Sequence, residues 1–407
     1  MKSWQALGLL CLLAPACATT DTSYRAPIER WQESHPETVE PEDAAQTAEL
    51  PPHAQLPELL DHARRHNPKL RQAFFDWRAA VERIPQAGRL PDPRVLFGVF
   101  LEEVETRTGP MQGKFTVSQA LPWFGKRALA GDVAAARADA VGEGVAAALL
   151  QVDREVRDAW YEYAWLHRAV EVSKAHRELL KHWQDVARTR LELGLSKPSE
   201  ILRVELELGQ LEDRLLSLAD LERPLRARIN AALDRDLNAP LDRPEFPLIG
   251  DLELDGEALL AGLAESNPEL RRLSKQVTAA NKGSDLADLA GRPDLVLGVD
   301  YTQIGSNGAA GSGDDAVALT VGFGLPVWRG VYRAEREEAR AKQMAARLAM
   351  ESAHNRLRSE LEMALFQWRD KGRHLELLNG SLIPKGQEAI GIMGDTYQNG
   401  ESSFIDV

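Results

Sequence analysis

The sequence repeats itself at long range. Asn67-Pro68-Lys69-Leu70-Arg71 returns as Asn267-Pro268-Glu269-Leu270-Arg271, and Pro93-Arg94-Val95-Leu96-Phe97-Gly98-Val99 as Pro293-Asp294-Leu295-Val296-Leu297-Gly298-Val299, both at an offset of 200. Leu121-Pro122-Trp123-Phe124 answers Leu325-Pro326-Val327-Trp328 at 204, and the segment 190–196 answers 396–402 at 206. Four anchors in one order with slowly growing offsets mark a common ancestor for the two halves. The period lies far above the roughly 20–50 residues of solenoid units. The 407 residues are therefore a duplicated half-molecule.

Each half follows the same grammar. A helix opens it, over 56–86 and 256–289, and the proline of each Asn-Pro suits a helix start or restart. Two runs rich in β-branched and aromatic residues follow, 95–103 with 114–121 and 295–303 with 317–323, giving hairpins 95–121 and 295–323. A long helix comes next, over 126–193 and 330–398. Within the first, Val152, Val156, Ala159, Tyr163, Leu166 and Val170 step by alternating 4 and 3, the seam of a packed helix. At about 1.5 Å per residue such a helix is roughly 100 Å long, an extended wall or coiled coil. The alanine cluster at 134–148 permits close backbone approach, though a strong helix former in an ordinary bundle has the same composition. The first half, 56–240, continues through a return helix at 199–233; a linker, 241–255, leads to the second half, 256–407.

The N-terminus reads as an export signal. Lys2, a short apolar core at 6–13 and small residues before Cys17 make a segment 1–16 too short to span a membrane. Its end is similar to a bacterial lipobox, which makes Cys17 the expected lipidated residue; ordinary cleavage nearby is the alternative. Residues 17–55, rich in Thr, Pro and Glu, read as a flexible, lipid-anchored arm. Cys11 and Cys17 are the only two cysteines, so a disulfide framework is excluded. A net charge of −13 argues against a nucleic-acid partner.

The hairpins set the class. About 9–11 tilted residues carry a β-strand across a bilayer, so each strand is nearly long enough. Backbone groups in lipid must all be paired, which admits only a closed barrel, and known barrels begin at about eight strands. Four strands per chain then require several chains. Trp123, Phe124, Trp328 and Tyr332 fall where strand becomes helix, as an interfacial aromatic belt would. Two hairpins packed in a water-soluble core are the competing arrangement.

The run Ser118-Gln119-Ala120-Leu121-Pro122-Trp123-Phe124-Gly125-Lys126-Arg127 resembles the strand-to-helix junction of TolC-type outer-membrane efflux proteins, above all the lipidated outer-membrane components of tripartite systems, the heavy-metal branch included. Pro326 and Trp328 stand at the matching second junction. The resemblance covers about 56–407 and implies a mainly α fold with a membrane β part. Three chains would close a twelve-stranded barrel continuous with a periplasmic α-helical barrel. It implies a homotrimer in the outer membrane of a Gram-negative bacterium, extending into the periplasm, with a periplasmic adaptor and an inner-membrane pump as partners. The function implied is a passive exit duct for small toxic solutes such as metal cations or drugs. A non-pore periplasmic coiled-coil lipoprotein scaffold and the outer-membrane duct of a type I protein secretion system are the alternatives. By the same resemblance, Leu193, Gly194, Leu195 and Ser196 form the first adaptor-contact tip, and Asn399, Gly400, Glu401 and Ser402 the second, with Glu401 where the pattern has leucine.

No nucleophile–base or metal-ligand pattern stands out, so neither an enzyme nor a cofactor is expected. His62 and His66 are spaced i,i+4 without a zinc signature and read as a solvated polar face. The glycine-rich run 305–315 lies between strands, the place of an external loop rather than a phosphate cradle. Self-comparison also predicts that the second half lacks the counterpart of the return helix, about 40 residues. A truncated or fragmentary second half, poorly able to assemble, is the resulting expectation.

Overall fold

A computed structural model describes residues 22–34, 50–51, 53–246, 253–308 and 310–399. The signal segment, Cys17, Gly400, Glu401 and Ser402 lie outside the described residues, as does 247–252 of the linker. The chain divides into two compact units, one of 1–36, 74–144 and 269–351, the other of 37–73, 145–268 and 352–407. Each unit draws on both halves of the repeat.

In the first unit, Phe74, Trp77 and Val81 form a buried stripe on the helix Pro68–Val81. Trp77 meets the first long helix, Lys126–Glu192, at Gly142. A Cβ on Gly142 would sit 2.8 Å from the indole Nε1, so the close approach needs glycine there. The short helix Arg83–Gly88 reaches the same long helix at Gly131, antiparallel to it. From the second half, the helix Pro268–Asp288 runs antiparallel along it as well, through Arg271–Glu143 at 2.8 Å, Lys275–Asp139 at 3.8 Å and Lys282–Asp132 at 3.1 Å. The early part of the long helix is thus flanked by equivalent helices of both repeats.

The expected arm differs from a wholly flexible segment. Ala26–Ser34 is a helix, with Ile28 buried and Trp31 stacked on Phe74 at 5.2 Å. Arg25 pairs with Glu82 at 2.7 Å, and Tyr24 donates to the same carboxylate at 3.0 Å. One isoleucine and one tryptophan are too few to give a visible period, yet aromatic contact contributes about 0.5–1.5 kcal/mol beyond area burial.

In the second unit the seam is as expected: Val152, Val156, Ala159, Tyr163 and Leu166 are buried and Val170 is half-buried. The return helix, Pro198–Ala232, packs back antiparallel, with Arg228 on Glu162 and Leu180, Val204, Leu208 and Leu211 in one cluster. The opening helix breaks at Asn67, between Leu56–His66 and Pro68–Val81. Asn67 turns extended there; its carboxamide accepts from the Lys69 N–H at 2.9 Å and donates to the Ala232 carbonyl at 2.8 Å. His62 is buried rather than solvated, its ring 4.4 Å from that of His66. Burial first, then the charge near His66 and Arg235, pushes the His62 imidazole down to about 4, so it is neutral at pH 7.

The second long helix is not one element. It runs Arg329–Leu377, loosens to a π turn at Leu378–Leu382 and resumes as the terminal helix Ile383–Gln398. Pro384 explains the break, since its ring and missing N–H do not fit a helix interior.

Candidate functional site

The four strands form one antiparallel sheet in the order β1 (Arg94–Thr106), β2 (Gly109–Leu121), β3 (Leu295–Ile304), β4 (Ala316–Phe323). The first hairpin is longer than its residue pattern suggests. Gly109-Pro110 reads as loop but lies inside β2, because Gly109, at φ +128°, accommodates the tight turn at Arg107-Thr108. The two hairpins join directly through β2 and β3, paired from Leu121↔Leu295 to Met111↔Ile304.

Register sorts the side chains into two faces. Thr116 lies opposite Asp300 and Ser118 opposite Gly298, while Asp300 lies opposite Ala318 and Gly298 opposite Thr320. That face is small and polar. Its carboxylate, Asp300, is only 9% exposed, and it accepts from Thr116 Oγ1 and from Lys114 Nζ at 3.0 Å. The opposite face carries Val95, Phe97, Val99, Val117, Val299, Val317, Leu319 and Val321. Phe97 is 75% exposed and Leu319 76% exposed. A large apolar face left open beside a small, hydrogen-bonded polar one is the pattern of a membrane barrel strand, apolar outward and polar inward. The outer edges of β1 and β4 have no strand partner among the described residues.

The junction residues collect at one end of this sheet. Gly125, at φ +84°, turns β2 into the long helix. Asp294, just before β3, accepts from the Trp123 N–H at 2.8 Å and from Lys126 Nζ at 2.8 Å, tying the two repeats together where strand meets helix. Phe124 and Trp328 stand exposed, and Leu325 and Val327 beside Pro326 extend the exposed apolar rim. At the opposite end, the glycine-rich loop bonds to the first hairpin: Gly305 N–H to the Pro110 carbonyl at 2.7 Å and Gly313 N–H to the Thr108 carbonyl at 3.0 Å.

The first tip is a helix stop followed by an exposed apolar pair. Gly194, at φ +75°, donates to the Leu191 carbonyl and Leu195 to the Arg190 carbonyl, a Schellman closure that leaves Leu193 and Leu195 outside. Ser196 Oγ bonds back to the Ala187 carbonyl at 3.3 Å. Asn399 closes the terminal helix, its N–H on the Asp395 carbonyl at 3.0 Å.

The tip also contains a clasp that the residue pattern does not announce. Tyr397 of the terminal helix is fully buried, and its hydroxyl donates to Glu200 of the return helix at 2.9 Å. The Arg190 guanidinium lies 4.3 Å over the Tyr397 ring, and Trp183 meets that ring edge-on at 6.0 Å. Burial first, then the bond to Glu200, pushes the phenol up to about 12. The only sequence signal is an aromatic residue just ahead of the glycine that matches Gly194. Among the described residues no group of three or more metal-ligating side chains forms, and no helix is long and apolar enough to cross a membrane.

Residues 259–407 match the family described as Outer membrane efflux protein. No curated protein matches the sequence. Among solved structures, the outer membrane protein VceC of Vibrio cholerae aligns with TM-score 0.73 and 18% identity over 86% of this chain and 88% of that one. A membrane protein from Pseudomonas aeruginosa gives 0.70 and 20% over 87% and 86%. The MtrE outer membrane channel of Neisseria gonorrhoeae, in its open state, gives 0.70 and 18% over 86% and 81%.

Proposed function

We propose that this chain, whose likeness to the TolC-type outer-membrane efflux proteins is borne out by the match over 259–407 and by the shared fold, works as the passive exit duct of a tripartite efflux system. The observation that carries the reading is the two-faced sheet. Its apolar face is too exposed for water, and four strands with two open edges cannot close alone. Three copies would give twelve strands, within the range of membrane barrels. The polar face, with Lys114, Thr116, Asp300 and Thr320, then lines a water-filled lumen.

In this reading the helices continue the lumen into the periplasm, Cys17 carries a lipid anchor, and the Leu193–Ser196 turn receives the adaptor. The segment 399–402 is the corresponding second contact. Energy comes from an inner-membrane pump, and the duct selects by width and lining charge. The cargo is a small toxic solute such as a metal cation or drug.

Purified from outer-membrane fractions, the protein is expected to run as a heat-modifiable trimer and to conduct in planar bilayers. A non-conducting form, water-soluble once its lipid is removed, would instead identify a periplasmic scaffold.

A further inference from the structure

A groove of about 990 Å³ opens below the sheet, in the first unit, walled by Leu90, Leu121, Phe124, Ala128, Leu295 and Phe323. Three of these residues form a single row. Leu121 pairs with Leu295 and Leu295 with Phe323, so they lie side by side on the apolar face. Above them on the same face come Leu297 with Val321, then Val299 with Leu319, then Tyr301 with Val317. At about 3.4 Å per residue these rows cover roughly 20 Å, close to the apolar band of a membrane barrel. The groove therefore continues the apolar face at its helical end, beside the exposed Phe124 and the half-buried Trp123.

Two charges stand in its wall. Asp132 is neutralised by Lys282 at 3.1 Å. Arg127 is exposed; its Nε–H bonds the Gly88 carbonyl at 2.9 Å, and it makes no ion pair among the described residues. An apolar trough with one uncompensated guanidinium at the membrane boundary matches an amphiphile with an anionic head.

We propose that this groove binds a glycerophospholipid of the inner leaflet, its phosphate on Arg127 and its acyl chain crossing the Leu121–Leu295–Phe323 row and rising along the apolar face past Leu297 and Val299. The proposal rests on the reading of the sheet as part of a membrane barrel. Leu121 and Leu295 lie on the two inner strands, one strand away from the free edges of β1 and β4 at which a neighbouring copy would join the sheet.

The test uses the intact protein in nanodiscs containing phosphatidylglycerol, released into mild detergent for native mass spectrometry, with conductance recorded on the same preparation. The wild type is expected to retain phosphatidylglycerol. Arg127→Gln should weaken retention about tenfold, as loss of one charge-assisted contact would. Ala128→Trp, at an exposed position, should displace the acyl chain with conductance unchanged. Equal retention by all three proteins would overturn the site while leaving the duct intact. If Cys17→Ser empties the groove and added phosphatidylglycerol does not refill it, the occupant is the chain's own anchor and the proposal fails. A wild type that neither conducts nor inserts would overturn the barrel reading and the lipid site together.

Discussion

The two long helices are the same element of the repeat, yet they are stabilised in opposite ways. The first buries Val133, Ala136, Val145, Val152, Val156, Trp160, Tyr163 and Trp183 against its own chain, and besides local pairs such as Arg154–Asp158 it makes ion pairs to other helices, as in Arg271–Glu143 and Arg228–Glu162. The second, over Arg329–Leu377, buries only Ala353 and Leu365 among the described residues and leaves Met344, Leu348, Met363 and Phe366 exposed. Its charges are spent along its own surface: Arg340–Glu337, Lys342–Glu338, Arg356–Glu360 and Arg373–Asp370 are all three or four residues apart. Such pairs add about 0.3–0.5 kcal/mol each and keep a helix formed without a neighbour. The first helix is thus the internal scaffold of the chain, and the second presents an apolar side consistent with packing against further copies.

Polar substitutions at matched apolar positions give the largest contrast. Val156→Asp places a charge in a fully buried site and should cost about 3–5 kcal/mol, read as a collapse of the thermal transition. Leu348→Asp should leave the folded chain within about 0.5 kcal/mol but abolish the proposed trimer in sedimentation. Equal unfolding by both would break the comparison. Glycine changes come next. Gly142→Val drives a side chain into Trp77 and should destabilise by about 1–3 kcal/mol. Gly372, with open space around its would-be Cβ, should gain about 0.5–1 kcal/mol on replacement by alanine.

The clasp sharpens the contrast, because there the terminal helix does engage its own chain. Tyr397→Phe keeps the Arg190 stack and loses the bond to Glu200, an expected cost of about 1 kcal/mol. The phenol is raised from 10 to about 12 in the folded state, so its contribution is complete below pH 10 and is lost as pH rises through 12. The stability difference between wild type and Tyr397→Phe should narrow across that window. The smallest effect is electrostatic: Arg271→Ala, from a half-buried pair, should cost more than Arg356→Ala, expected at no more than about 0.5 kcal/mol.

Much of this architecture is legible in the residues because it is carried by period and duplication. The seam Val152 to Leu166, the hairpin positions and the restart at each Asn-Pro follow from spacing alone. The faces of the sheet are harder to read, since Val95–Leu101 is apolar throughout; only pairing with Lys114, Thr116 and Asp300 separates inside from outside. Isolated contacts are illegible for a physical reason. Trp31 on Phe74, or Tyr397 between Arg190 and Glu200, are single side chains meeting across long sequence separation, and no local pattern records them.

The central claim is that one face of this sheet meets lipid and the other meets water. Cysteines placed singly at Phe97 and Leu319, and at Thr116 and Thr320, can be exposed in native outer membranes to a charged, membrane-impermeant maleimide. The account predicts labelling of Thr116→Cys and Thr320→Cys and protection of Phe97→Cys and Leu319→Cys. Labelling of all four alike, or of the apolar positions alone, would contradict it.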